Sequence, residues 1–475
     1  MNPSSSFSFD PERFNWIDTF ISRVKPYIFV RLEDNILIKR PNMATQLNST
    51  GAHILYSLLN GTSFRQLVAT FEKNPERIPQ MINFIYAVKE YLEGKLDEFS
   101  LNPAVDMKTF EMNFGTFPVL SEIALTYRCN LKCRFCYAGC GHVDKPFASP
   151  IKGDDMSARQ VEKIIDTLFH KAKVPSVSFT GGEPLLVPFL PRLIKYAKKT
   201  GMRVNLITNG TLITKEMASL LAKSGLDSAQ VSIEGITPAT HDSIVGSPGA
   251  FQKTIEGIKF LDEFGIHTHT NTTINGLNLK ECPDFPRFIK NELKKDKFSM
   301  NMVIPTGTST LNPDIPVQYS RIGSVIRDII KESETHDVEF MWYSPVPMCM
   351  FNSILHNLGN KGCSACDGLI SIAPNGDVLP CASCSDPVGN LLKEDFDSIW
   401  QGVRAAVYRE KALAHPACKT CDHFHICNGA CPLYWQYAGF DELIPFIPAA
   451  SRKIAATPSD YYNHNKIGEQ NDRLT

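Results

Sequence analysis

The sequence predicts an α/β protein, a parallel sheet with helices outside it, and three observations support this. Short β-rich runs fall at 121–127, 175–180, 203–209, 228–234, 267–274 and 298–304. Amphipathic helical patterning follows them at about 157–172, 186–199, 215–223, 250–264, 281–292 and 319–333. Alternation of this length makes six βα units, whose strands lie parallel. Third, 475 residues with 43% hydrophobic content exceed one ordinary core, so further domains flank the sheet.

The first strand runs into LTYRCNLKCRFCY, where Cys129, Cys133 and Cys136 are spaced C-x3-C-x2-C. Four cysteines normally hold an iron–sulfur cluster, so a tight set of three leaves one iron for a small molecule. A zinc knuckle or a group of core cysteines is the competing reading. The spacing resembles the radical S-adenosylmethionine (SAM) superfamily. That resemblance implies an open, partial (β/α)6 TIM barrel with a [4Fe-4S] cluster on Cys129, Cys133 and Cys136. The free iron would chelate SAM, whose reductive cleavage gives a 5′-deoxyadenosyl radical. The cluster loop then sits at the C-terminal end of the sheet, where α/β barrels place their active sites.

The second strand, SVSFT, runs straight into Gly181, Gly182, Glu183 and Pro184. Paired glycines let a backbone approach a ligand closely, although a glycine pair alone is usually a turn. The position resembles the family's GGEP motif, which implies that its backbone and acidic side chain hold the methionine amine of SAM. Ser232 and Glu234 fall on one face of the fourth strand, because strand side chains alternate. They resemble the family's Ser-x-acid pair that hydrogen-bonds SAM.

The formal net charge of -1 argues against a surface for nucleic acid. The 14 cysteines bunch into 129–140 and 349–431 with only Cys282 outside, which is metal-site clustering rather than a disulfide framework. No secretion-signal pattern and no long apolar run occurs, so a cytoplasmic protein without a membrane partner is expected.

Cys418, Cys421, Cys427 and Cys431 are spaced C-x2-C-x5-C-x3-C, and upstream Cys363 precedes Gly376 and Cys381. This pattern resembles the SPASM extension, implying one or two auxiliary [4Fe-4S] clusters, although zinc accepts the same ligands. Two full clusters in that family use a further cysteine downstream, and residues 432–475 contain none. Cys349 or Cys384, a non-cysteine ligand such as Asp422, His423 or His425, substrate, or an open iron would complete the set. Cys366 competes with Cys363 for the upstream role. Sulfatase-maturing relatives carry an acidic base just after the cysteine that corresponds to Cys381; here that residue is Ala382, which counts against their activity.

Ahead of the barrel, β-like runs at 27–32 and 35–40 flank a turn at Glu33 and Asp34, and helices start near Ser49, Ser63 and Pro79. This winged-helix outline resembles the peptide chaperone of pyrroloquinoline quinone biosynthesis (PqqD-like). The resemblance implies capture of a precursor-peptide leader as an added strand. A DNA-binding winged helix is disfavoured, because residues 25–98 hold nine Lys/Arg against eight Asp/Glu with no basic stripe. A scaffold role is the other alternative.

The expected organisation is an N-terminal extension (1–24), a winged-helix-like α+β peptide-recognition domain (25–100), a linker (101–117), the barrel (118–340), the SPASM domain (341–445) and a tail (446–475). The expected function is maturation of a ribosomally made precursor peptide: hydrogen abstraction followed by crosslinking, thioether formation or oxidation. Flavodoxin or ferredoxin would supply low-potential electrons. A SPASM enzyme acting on a haem precursor is the second reading, and an iron–sulfur electron carrier or regulator the third.

Overall fold

The computed structural model describes residues 11–41, 43–71, 73–93, 116–140 and 155–447. The chain divides into two compact units, Met1–Leu120 and Ser121–Thr475. Among the described residues no helix is long and apolar enough to cross a membrane.

The first unit contains α1 (Trp16–Val24), the antiparallel strands β1 (Ile28–Arg31), β2 (Ile36–Lys39) and β3 (Met43–Gln46), then α2 (Ser49–Leu59), α3 (Phe64–Ala69) and α4 (Ile78–Leu92). The expected turn at Glu33 and Asp34 pairs Arg31 with Ile36, and Asn35 takes the left-handed conformation (φ 56°) that closes it. Arg31 is buried, with Nε 2.7 Å from the Asp34 carboxylate and Nη1 donating to the Pro118 carbonyl at 2.8 Å. Those partners offset the cost of burying a guanidinium. Asn48 caps α2 through the Gly51 N–H at 2.8 Å, and Ser63 forms a reciprocal capping box with Gln66. Helix α1 and strand β3 were not anticipated. Ile17, Phe20 and Ile21 of α1 join Ile28, Leu55, Phe64, Ile85 and Val88 in one core. Strand β3 pairs with β2 alone among the described strands and is an outer edge of the sheet.

The second unit is built on β4 (Leu120–Ala124), β5 (Ser176–Thr180), β6 (Arg203–Thr208), β7 (Ser228–Ser232), β8 (His267–Ile274), β9 (Lys297–Met302) and β10 (Glu339–Trp342), in spatial order and with parallel neighbours throughout. The connecting helices are α5 (Ala158–Asp166), α6 (Leu190–Thr200), α7 (Lys215–Lys223), α8 (Pro238–Val245), α9 (Ala250–Glu263), α10 (Phe285–Asn291) and α11 (Tyr319–His336). The six expected strands are present, and β10 adds a seventh. Beyond β4 the sheet continues into β11 (Leu369–Ile372), β12 (Asp377–Leu379) and β13 (Gly389–Asn390), making ten strands that do not close on themselves.

Strand alternation gives this sheet two unlike faces. Ile123, Val177, Phe179, Val204, Leu206 and Val231 are buried on the helix side. The opposite face is polar. Ser228 Oγ donates to Asn205 Oδ1 at 2.8 Å, Asn205 Nδ2 lies 3.3 Å from Ser178 Oγ, and Asn271 Nδ2 donates to Asn301 Oδ1 at 2.7 Å. A closed α/β barrel fills its interior with branched apolar side chains. Here that space is a cavity of about 350 Å³.

Candidate active site

The loop after β4 carries Cys129, Cys133 and Cys136 onto the cavity wall. Its backbone is held from two sides. Lys132 N–H and Arg134 N–H donate to the carbonyls of Val245 and Ile244 at the end of α8, each at 3.0 Å. Thr308 donates to the loop through N–H to Cys136 O (2.9 Å) and Oγ1 to Cys133 O (3.0 Å). A Cβ on Gly307 would lie 2.2 Å from the Cys136 carbonyl, so only glycine admits this approach.

Gly181 and Gly182 line the cavity, but what they approach most closely is the cysteine loop. A Cβ on either would meet the carbonyl of Thr126 or Arg128 at 2.2 Å. Gly182 N–H donates to Thr126 O at 2.7 Å and Glu183 N–H to Arg128 O at 2.9 Å. The two glycines thus lay the GGEP turn directly on the cluster loop. Pro184 opens a short 3-10 turn and is buried.

The structure places the Glu183 carboxylate among protein donors of the turn it opens and of the turn after β6. Glu183 is fully buried, and its oxygens accept from Thr208 Oγ1 (2.8 Å), Asn209 N–H (2.9 Å) and Leu185 N–H (3.1 Å). Burial raises it to about 7 against those hydrogen bonds. Its oxygens hold the turn after β6, from which Asn209 reaches Asn130 of the cysteine loop at 3.0 Å.

Ser232 and Glu234 both line the cavity, on the same side as expected. Glu234 accepts the Thr273 N–H at 2.9 Å and is raised to about 8 by burial. Its own N–H donates to His241 Nδ1 at 3.0 Å. This fixes the neutral tautomer with hydrogen on Nε2, in keeping with burial lowering the ring to about 4. His241 Nε2 is a buried donor without a protein partner at a side chain that lines the cavity.

Two cavity residues escaped the motif reading. Glu122, on β4, accepts from Ser371 Oγ and from the Ala382 N–H, and burial raises it above the usual carboxylate range. An acid at the inward position of an otherwise buried strand was its available signal. His241 had none, being a lone histidine in a helix that periodicity did not reveal. Cys140, which the sequence leaves as a spare, lines the same cavity, and its N–H donates to Cys136 Sγ at 3.2 Å.

The donor set suits an iron–sulfur cluster. Burial, and then the neighbouring acid and thiol charges, push Cys129 up to about 11 and Cys133 further, while the Cys140 hydrogen bond brings Cys136 down to about 7. Crowded buried thiols resist ionising together, and bound iron supplies the missing positive charge. Among the described residues no group of three His, Cys, Asp or Glu side chains closes tightly enough to clasp a single ion. The unpartnered His241 donor, in the cavity that Gly181 and Gly182 also line, offers a hydrogen bond to a small polar ligand beside the thiols.

Residues 123–289 match the Radical SAM superfamily, and residues 363–422 match the SPASM iron–sulfur cluster-binding domain. Fold and site therefore define an enzyme of SAM radical chemistry, which uses a [4Fe-4S] cluster and SAM and carries auxiliary clusters in a SPASM extension. Among individual proteins, the chain is 29% identical over 329 residues to an AdoMet-dependent heme synthase of Methanosarcina barkeri, covering 66% of this chain and 90% of that one. It is 27% identical over 337 residues to a PqqA peptide cyclase of Bradyrhizobium diazoefficiens, covering 67% and 82%. Its fold is like that of Streptococcus suis SuiB in complex with the precursor peptide SuiA, with a TM-score of 0.63, 20% identity, and coverage of 86% of this chain and 95% of SuiB.

Proposed function

We propose that the protein matures a ribosomally made precursor peptide by abstracting hydrogen from an unactivated carbon. The observation that carries this reading is the extent of the likeness to SuiB. At 86% of the chain it is longer than residues 121–475 alone and reaches into the first unit. A three-stranded sheet with an outer edge is the feature that strand addition of a leader requires.

In this reading Cys129, Cys133 and Cys136 hold the cluster, while Gly181, Gly182, Ser232, Glu234 and His241 position SAM, and Glu183 and Pro184 brace the turn behind it. When bound, cluster and SAM supply the hydrogen-abstracting 5′-deoxyadenosyl radical, and the auxiliary clusters an electron sink. Oxidation of the substrate radical then leaves a proton to remove. Glu122 is placed to accept it: its carboxylate lies against Ala382, where sulfatase-maturing relatives carry their acid. Burial makes that carboxylate a stronger base than a solvated one. Flavodoxin or ferredoxin supplies the electrons.

The heme synthase similarity, spanning 90% of that relative, favours a second reading in which the substrate is a haem precursor. A variant beginning at residue 116 separates the two. Peptide maturation predicts that modification of the precursor is lost while uncoupled 5′-deoxyadenosine formation persists. Unchanged turnover of the precursor without the first unit would overturn the peptide reading.

A further inference from the structure

The C-terminal cysteines divide in a way that their spacing does not reveal. The segment Pro416–Cys427 folds as successive tight turns, with Cys421 N–H donating to Cys418 O at 3.0 Å and Phe424 N–H to Cys421 O at 2.9 Å. A separate turn, in which the N–H groups of Met350 and Phe351 donate to Pro347 O at 2.9 and 3.0 Å, is pinned against that segment. Met348 N–H donates to Cys427 Sγ at 3.3 Å, so the next residue, Cys349, is delivered beside that thiol. Gly429, at φ 72°, folds the chain back so that its Cβ position lies 3.7 Å from the Cys418 Cβ.

The backbone gathers the remaining thiols elsewhere. Cys366 N–H donates to the carbonyl of Pro380, the neighbour of Cys381, at 3.2 Å, and Cys384 N–H donates to Cys381 O at 3.0 Å. Cys363 lines one small cavity with Ala430 and Pro432, the residues on either side of Cys431. The run of four at 418–431 is therefore split three to one. Cys431 is turned away to a group of five, and its N–H is anchored by Tyr319 Oη at 3.4 Å.

We propose that Cys349 is the fourth thiolate of the auxiliary cluster held by Cys418, Cys421 and Cys427, closing it from upstream of the SPASM segment. The proposal rests on the reading of this domain as an iron–sulfur carrier. Four thiolates saturate the four irons of a cubane, so this cluster has no open iron for a substrate thiol. Because Cys349 and Cys421 are exposed, the cluster lies at the surface of its unit, where its use is to pass electrons. Cys363, Cys366, Cys381, Cys384 and Cys431 supply the ligands of the other.

The test uses the full chain with Cys129→Ala, Cys133→Ala and Cys136→Ala, which leaves only auxiliary iron to be read. After anaerobic reconstitution, Cys349→Ala is expected to lose one to four irons per chain, about the content of one cubane at most. One of the two sets of reduced-cluster resonances in the low-temperature electron paramagnetic resonance spectrum should shift or vanish, and added 2-mercaptoethanol should restore it. The second set persists and reports that the domain is folded; Cys431→Ala should disturb that second set instead. Unchanged iron and an unchanged spectrum in Cys349→Ala would overturn the proposal, as would a thiol-sensitive spectrum in the parent. Stoichiometric zinc in the parent would instead overturn the iron–sulfur reading on which it rests.

Discussion

The carboxylate of Glu122, on the first barrel strand, accepts a hydrogen bond from the backbone N–H of Ala382, the residue after Cys381. Both residues line the cavity that also holds Cys129, Cys133 and Cys136. The two residues meet in space although they lie 260 positions apart in the chain.

If Glu122 takes the substrate proton, Glu122→Gln should slow product formation by about 10²-fold or more. Uncoupled 5′-deoxyadenosine formation should be little changed, since the carboxylate does not touch the cysteine loop's hydrogen bonds. The sign with pH follows from its raised pKa. The base is ionised only above the usual carboxylate range, so turnover should rise with pH there in the parent and be flat in the variant. Equal product formation by both proteins would remove Glu122 from the mechanism.

Glu183 gives a stability signature. Its folded-state value is raised from 4.5 to about 7, so between these limits the folded state holds a proton that the unfolded chain has released. Stability is highest below pH 4.5, falls as pH rises to about 7, and then levels. The fall attributable to this group is at most about 3 kcal/mol, at 1.36 kcal/mol per unit. Glu183→Gln cannot ionise and loses an acceptor for the Asn209 N–H, at about 1–3 kcal/mol. The variant should therefore be clearly weaker than the parent at pH 5 and closer to it at pH 8 in urea unfolding. A pH-independent difference would show that Glu183 is already ionised in the folded state.

The sheet was largely legible in the sequence because its strands are short β-rich runs alternating with amphipathic helices. Strand β10 escaped because Glu339–Trp342 is only four residues long, and β12 and β13 are shorter still. Helix α1 escaped although Asn15 precedes Trp16–Val24 and Asp18 lies in its first turn, because those signals merge with the polar stretch before it. Motif spacing located Cys129, Cys133, Cys136, Ser232 and Glu234 at the cavity. It could not give direction, so the hydrogen bonds of the Glu183 oxygens to Thr208 and Asn209 were not legible in it. Nor could spacing show that Cys349 is carried beside Cys427, since that depends on how the turn at Pro347 packs on the Cys427 thiol.

The first unit makes a prediction about salt. If a leader adds as a strand to β3, its affinity should come mainly from backbone hydrogen bonds, because charge is nearly balanced in residues 25–98. Binding of a cognate leader peptide should therefore change little between low and physiological ionic strength, as followed by fluorescence anisotropy. A steep loss with salt would indicate an electrostatic surface and a different partner.

The central claim is that radical chemistry in the cavity is spent on a peptide. It is tested most directly by anaerobic incubation of the reconstituted full chain with SAM, a low-potential reductant and a precursor peptide encoded beside its gene. Peptide mass and 5′-deoxyadenosine are then followed together. The account predicts that the peptide loses two hydrogen atoms as crosslink, thioether or unsaturation forms, in step with 5′-deoxyadenosine. Formation of 5′-deoxyadenosine with the peptide unchanged, while a tetrapyrrole offered in its place is converted, would contradict it.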